Sequence, residues 1–187
     1  MSRVTRIGEV RKRIRTRRLH NQRRAYPHAT AIDIAMMKLA LRLASEAARR
    51  AEVPVGAVIY RGSEIIAKAA NNREATKDPT GHAELVALRA AGKKLDAWRL
   101  RECSMAVTLE PCPMCAGALV NARLSRLIYG ASDPKAGACH SLYDIPADTR
   151  LNHRVEMIGG VLKEQCAAQL QGFFRELRKQ KATKTAD

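Results

Sequence analysis

From residue 32 onward the chain switches repeatedly between two hydrophobic periods. Ile32, Ala35, Met36, Leu39, Ala40, Leu43 and Ala47 recur at steps of three and four, the spacing of one helix face. Asp33 falls in the first turn and Arg49 and Arg50 in the last, signs that suit the helix dipole. Residues 55–60 and 64–69 read as strands joined by a short turn at Arg61-Gly62-Ser63. Residues 71–81 form a polar loop with Asp78-Pro79. Residues 82–91 read as a helix closed by Gly92. A strand follows at 104–109, a helix at 112–121 and a strand at 126–130. Asp133-Pro134 and Ile145-Pro146 interrupt residues 131–151, which make a long loop; such a loop in a compact domain often carries function. A strand at 154–158 and a helix at 161–179 complete the order α-β-β-α-β-α-β-β-α. That order predicts an α/β domain of three layers, α-β-α, around a mixed five-stranded sheet.

The first thirty residues do not fit either period. Ile7, Val10, Ile14 and Leu19 are too sparse to define a buried face, while ten Lys and Arg stand against the single acid Glu9. The expected organisation is a basic, disordered arm over 1–30, one domain over 31–180 and a tail over 181–187. An RNA-binding arm, an organelle transit peptide and a solvated tail without a role are the three explanations for the arm.

Charge and cysteine content narrow the class. The net charge is +16, from 34 basic and 18 acidic residues, so the remainder of the chain is basic even without the arm. A basic surface suits a polyanion, with nucleic acid the usual candidate. No apolar run approaches the length that spans a bilayer, and no apolar signal-peptide segment follows the basic start. The five cysteines include one C-x-x-C pair, which favours a reducing compartment over a disulfide framework. A cytoplasmic protein is the expectation, or an organellar one if the arm is a transit peptide. Cys103, Cys139 and Cys166 read as small core residues.

The chemistry concentrates in His82-Ala83-Glu84 and Pro111-Cys112-Pro113-Met114-Cys115. A structural zinc site uses four protein ligands, whereas a catalytic one uses three and keeps a position for water. His82, Cys112 and Cys115 supply three, and Glu84 is left to move protons. Cys112 and Cys115 share one helix face, Pro111 and Pro113 suit a helix start, and the positive helix end favours thiolates. Residues two apart on a regular helix point different ways, so periodicity alone does not bring Glu84 to the metal. The bland alternatives are a redox pair, or a structural zinc completed by Cys139, Cys166, His140 or His153.

The joint pattern H-x-E…P-C-x-x-C is the signature of zinc-dependent nucleobase deaminases. The chain further resembles the bacterial tRNA-specific adenosine deaminases over about residues 31–180. The resemblance is carried by 53–58, Asn71-Asn72-Arg73, 78–84, 107–118, 130–138, 152–155 and the segment around Phe173-Phe174. It implies a cytidine-deaminase-like fold, one Zn2+ per subunit, a homodimer and hydrolysis of adenosine to inosine at the wobble position of a tRNA anticodon loop. It also implies residue roles. Asn71 would hydrogen-bond the target base, Val55 and Ala83 would wall it, and Asp133 and Lys135 would touch the RNA nearby. One of Phe173 and Phe174, with Phe174 favoured, would lie against the anticodon loop. Ser132 stands where the family often has arginine. The nearest different reading is a zinc deaminase of free bases or nucleosides. A non-catalytic zinc-stabilised RNA-binding module is the third, although it would have no use for Glu84.

Overall fold

The computed structural model describes residues 28–185. The first helix, α1 (Ala31–Arg49), begins with a reciprocal cap: Thr30 Oγ1 accepts from Asp33 N at 3.1 Å, and Asp33 Oδ2 accepts from Thr30 N at 2.8 Å. Ala29, just before it, is buried in the core. Thr30 and Ala29 therefore belong to the folded domain rather than to the basic arm; the rest of the arm, residues 1–27, lies outside the described residues. The buried stripe of α1 is Asp33, Ile34, Met37, Ala40, Ala44 and Ala47, rotated from the expected one. Ile32 and Ala35 face outward, while Met36, Leu39 and Leu43 are only partly buried. The sheet explains the rotation. A Cβ at Gly56 would lie 2.1 Å from the Ala40 carbonyl oxygen, so helix and strand nearly touch, and only small residues fit between them.

Five strands follow: β1 (Gly56–Arg61), β2 (Glu64–Ala70), β3 (Ser104–Leu109), β4 (Arg126–Ala131) and β5 (Glu156–Ile158). Their order is β2-β1-β3-β4-β5. β1 runs antiparallel to β2 and β3, while β3, β4 and β5 are parallel. The expected mixed five-stranded sheet is thus the observed one. Alternate strand residues go to opposite faces. Ala57, Ile59, Met105, Val107, Leu127 and Tyr129 pack toward α3 (Ala83–Leu95) and α4 (Pro113–Asn121). Val58, Tyr60, Ala106 and Ile128 pack toward α1 and the last helix, α5 (Lys163–Thr185).

Several boundaries differ from those expected. The 71–81 loop contains a short helix, α2 (Arg73–Thr76), tied down where Ala75 N donates to the buried Glu52 at 2.8 Å. α3 continues through Gly92 and stops where Asp96 turns left-handed, at φ 48°. The 131–151 loop holds one 3-10 turn, Ile145–Ala147. β5 is only three residues long, and α5 runs on to Thr185 through residues assigned to a tail. No proline or glycine halts the chain there.

One buried ion pair staples three elements together. Asp33 on α1, 1% exposed, accepts a bidentate bond from Arg126 on β4 at 3.0 and 3.2 Å, and the Tyr60 hydroxyl on β1 donates to its Oδ1. Burial works to raise the Asp33 carboxyl, but the bonds from Arg126, Tyr60 and Thr30 outweigh it and hold the group below its ordinary value.

Candidate active site

His82 and Cys112 occupy the same position on two neighbouring helices. Each is the N-cap residue, with extended backbone, and neither side chain caps its own helix. Both are therefore free to face each other at the sheet edge where the carboxyl end of β3 meets the amino end of β1. Cys112 Sγ lies 3.6 Å from His82 Nδ1, and Cys115 Sγ lies 3.5 Å from it. The three donor atoms lie within 4.8 Å of one another. Cys139, Cys166, His140 and His153 do not join this group; His153 Nε2 instead meets the Leu124 carbonyl at 2.7 Å.

The electrostatics suit a cation. The Cys112 thiol is drawn down to about 4, first by the Cys115 thiol and then by His82, against the cost of burial. Cys115 is pushed up by the same hydrogen bond to Cys112 and by burial. A divalent ion taking both sulfurs would displace the thiol protons. His82 is raised, chiefly by its bond to Cys112, and that bond is what a metal would replace.

Glu84 stands two residues after His82, yet it reaches the same place. The helical rule that separates residues two apart does not apply, because His82 lies outside the helix, at φ −76° and ψ 144°. Glu84 is 4% exposed, and its Oε2 has no hydrogen-bond partner among the described residues. Burial raises its pKa. A buried carboxyl with one unpartnered oxygen can hold a proton and pass it on.

A cavity of about 130 Å³ collects these groups, lined by Val53, Val55, Asn71, Arg73, His82, Glu84, Leu109, Glu110, Cys112, Asp133 and Ala136. Asn71 is buried, and its Oδ1 accepts from Ala83 N at 2.9 Å. That bond fixes the first turn of α3, and with it His82, leaving Nδ2 as the donor available to the cavity. Val55 and Asp133 are on the wall. Ala83 is fully buried in the core cluster and is not part of the wall. Lys135 is exposed, and its backbone N–H closes an Asx turn on Asp133 at 2.9 Å. Phe174, 40% exposed on α5, packs edge-on against Phe173 at 5.4 Å and stands off the wall.

The sequence reading passed over Glu110 and Arg73. Arg73 is an exposed cation on the rim. Glu110, only 2% exposed, accepts from the backbone of Asp133, Cys139, His140 and Ser141. A carboxylate beside a C-x-x-C pair carries no signal of burial in the sequence.

The MafB19-like deaminase family model matches residues 32–178. The tRNA-specific adenosine deaminase of Bacillus subtilis (strain 168) is 46% identical over 149 residues, covering 80% of this chain and 92% of that protein. The chain belongs to the tRNA-specific adenosine deaminase family. It is accordingly an enzyme, a deaminase. The tRNA-specific adenosine deaminase of Haemophilus influenzae is 43% identical over 155 residues, 82% of this chain and 90% of that protein. A solved structure from work on A-to-I editing by tRNA:A34 deaminases at the wobble position of transfer RNA is 39% identical, with a TM-score of 0.70 over 73% of this chain and 99% of that one. The fold is the cytidine-deaminase-like one expected of a tRNA-specific adenosine deaminase. Residues 1–31 lie outside the family match.

Proposed function

We propose that the chain deaminates adenosine to inosine at the wobble position of a tRNA anticodon loop, using one zinc ion per subunit held by His82, Cys112 and Cys115. The observation that carries this reading is Glu84, buried and with one oxygen unpartnered among the described residues, lining a cavity with His82 and Cys112, whose donor atoms lie within 4.8 Å of that of Cys115. A non-catalytic metal site has no use for such a group. Two thiolates and one imidazole within reach of one point fit zinc. When bound, zinc supplies Lewis acidity that makes water a nucleophile near neutral pH.

The remaining work falls to the chain. Glu84 takes one proton of the attacking water and delivers it to the ring nitrogen beside the amine-bearing carbon; it then takes the second proton from the same oxygen and gives it to the departing amino group, which leaves as ammonia. Asn71 Nδ2 donates to the base, and Val55 lies along it. Ala83, at the foot of α3, supports that wall from behind. The Cys112 backbone N–H, at the start of α4, helps to position the attacking oxygen.

Asp133 and Lys135 meet the RNA beside the flipped nucleotide, and Phe174 meets the anticodon loop from α5. An anticodon loop suits a pocket of this size because its bases are single-stranded and little stacking is lost on extrusion. The chain works as a homodimer in the cytoplasm; among the described residues no helix is long and apolar enough to cross a membrane. The apolar cleft between α3 and α4, walled by Leu85, Leu88, Trp98, Leu100, Ala118 and Ala122, is the surface this reading would cover.

Incubation with anticodon stem-loops and, separately, with free nucleosides and bases tests the proposal. Inosine in the RNA alone is the expected result. Product only from free nucleosides or bases would overturn the choice of substrate.

A further inference from the structure

Glu110 directly follows β3, two residues before Cys112, and nothing in the proposed chemistry uses it. Among the described residues, all the hydrogen bonds to its carboxylate come from the segment 133–141. Oε1 accepts from Cys139 N at 3.1 Å, His140 N at 2.8 Å and Ser141 N at 2.9 Å. Oε2 accepts from Asp133 N at 3.0 Å and from the Ser141 hydroxyl. The backbone on either side repeats the link: Glu110 N donates to Ala131 O at 2.8 Å, and Ala138 N donates to Pro111 O at 2.8 Å.

Gly137 is a second, independent sign of this contact. A Cβ there would lie 2.5 Å from the Glu110 carboxyl carbon and 2.6 Å from both Oε2 and the Asp133 carbonyl. Only glycine lets the segment close over the carboxylate at this distance. Asp133 and Ala136, from that segment, and Glu110 itself line the cavity with His82, Glu84 and Cys112.

We propose that Glu110 is a positioning residue for the reaction: it locks the 133–141 segment to the Cys112 turn and so fixes the substrate rim of the cavity relative to the metal ligands. It touches neither the base nor the metal. The inference rests on the proposed function, because the segment matters to catalysis only if Asp133 and Lys135 meet RNA.

Two substitutions act on the contact from opposite sides. Glu110→Gln keeps the shape but turns an amide N–H toward backbone donors. Gly137→Ala presses a methyl group into the carboxylate. Both are expected to raise KM for an anticodon stem-loop by roughly tenfold or more, with kcat changed by less than about threefold, since hydrogen bonds to a charged group carry about that much energy. Each is expected to keep the zinc content of the unsubstituted chain. Each should also speed amide hydrogen exchange over 138–142 while α4 stays protected. The double variant is expected to fall well short of the product of the two effects. An unchanged KM, or zinc loss together with loosened α4, would overturn the proposal. If Glu110→Gln does not fold, Gly137→Ala and Ser141→Ala carry the same test. Failure of the unsubstituted chain to make inosine would count against the proposed function, while the exchange measurement still reads the Glu110 link.

Discussion

At the scale of single residues, the site depends on side chains that decline their usual local duty. N-cap residues commonly accept a hydrogen bond from their own helix, but His82 and Cys112 do not. Their side chains project across the gap between α3 and α4 instead. His82→Ala, Cys112→Ala and Cys115→Ala are each expected to lower bound zinc well below about one ion per chain, as elemental analysis would read. Unchanged metal in all three would sink the assignment. Glu84→Gln is expected to keep zinc and RNA binding and to lose roughly a hundred- to ten-thousandfold in turnover, measured as inosine formed at saturating RNA. Asn71 has two jobs on two atoms, because Oδ1 holds Ala83 N. Asn71→Asp retains that acceptor and removes the Nδ2 donor. It is expected to keep zinc while losing base discrimination, whereas Asn71→Ala is expected to weaken zinc binding as well, through α3.

At the scale of elements, close approach between backbones decides the layout. α1 sits on β1 so tightly that Gly56 has no room for a methyl group, and the helix presents Ala40, Ala44 and Ala47 to the strand. Gly56→Ala is expected to destabilise the fold by about 1–3 kcal/mol through overpacking against backbone that cannot yield. A thermal melt compared with that of the unsubstituted chain checks it, and an unchanged midpoint would contradict the packing described. The 71–81 loop gains its shape from the same kind of constraint. Glu52, 1% exposed, anchors α2 through Ala75 N, which holds Asn71 and Arg73 at the cavity mouth.

At the scale of the whole molecule, charge has two separate consequences. The buried Asp33–Arg126 pair joins α1 to β4. Because the folded-state pKa of Asp33 is held below its ordinary 3.8, its contribution is complete above that value and is lost as pH falls through the lower, folded-state value. Asp33→Asn is expected to cost on the order of 3 kcal/mol at neutral pH by leaving Arg126 with a poorer partner. The deficit should shrink toward pH 3; a deficit independent of pH would argue against the ion pair. The second consequence is the basic arm. Deleting residues 1–27 is expected to spare fold and zinc and, if the arm meets RNA, to flatten the salt dependence of binding. Carrying the deletion through Thr30 removes the cap of α1 and the buried Ala29, and is expected to cost about 1 kcal/mol or more in a melt.

The sequence by itself determined what local spacing controls. The alternation of periods specified the element order, because a period of two and a period near 3.6 bury different faces. Cys112 and Cys115 were legible as a pair from their spacing on one helix face, whereas His82 and Glu84 were legible only through the joint H-x-E…P-C-x-x-C pattern and the resemblance it carries. Tertiary structure alone decided which face of α1 is buried, since that depends on how near the sheet lies rather than on the helix's own pattern. It also decided the partners of the buried charges. Asp33, Glu52 and Glu110 look like ordinary surface acids in the sequence; donors 93, 23 and up to 31 residues away make them interior. Phe174 and Lys135 show the converse. Resemblance puts them beside the substrate, but the fold sets them off the cavity wall.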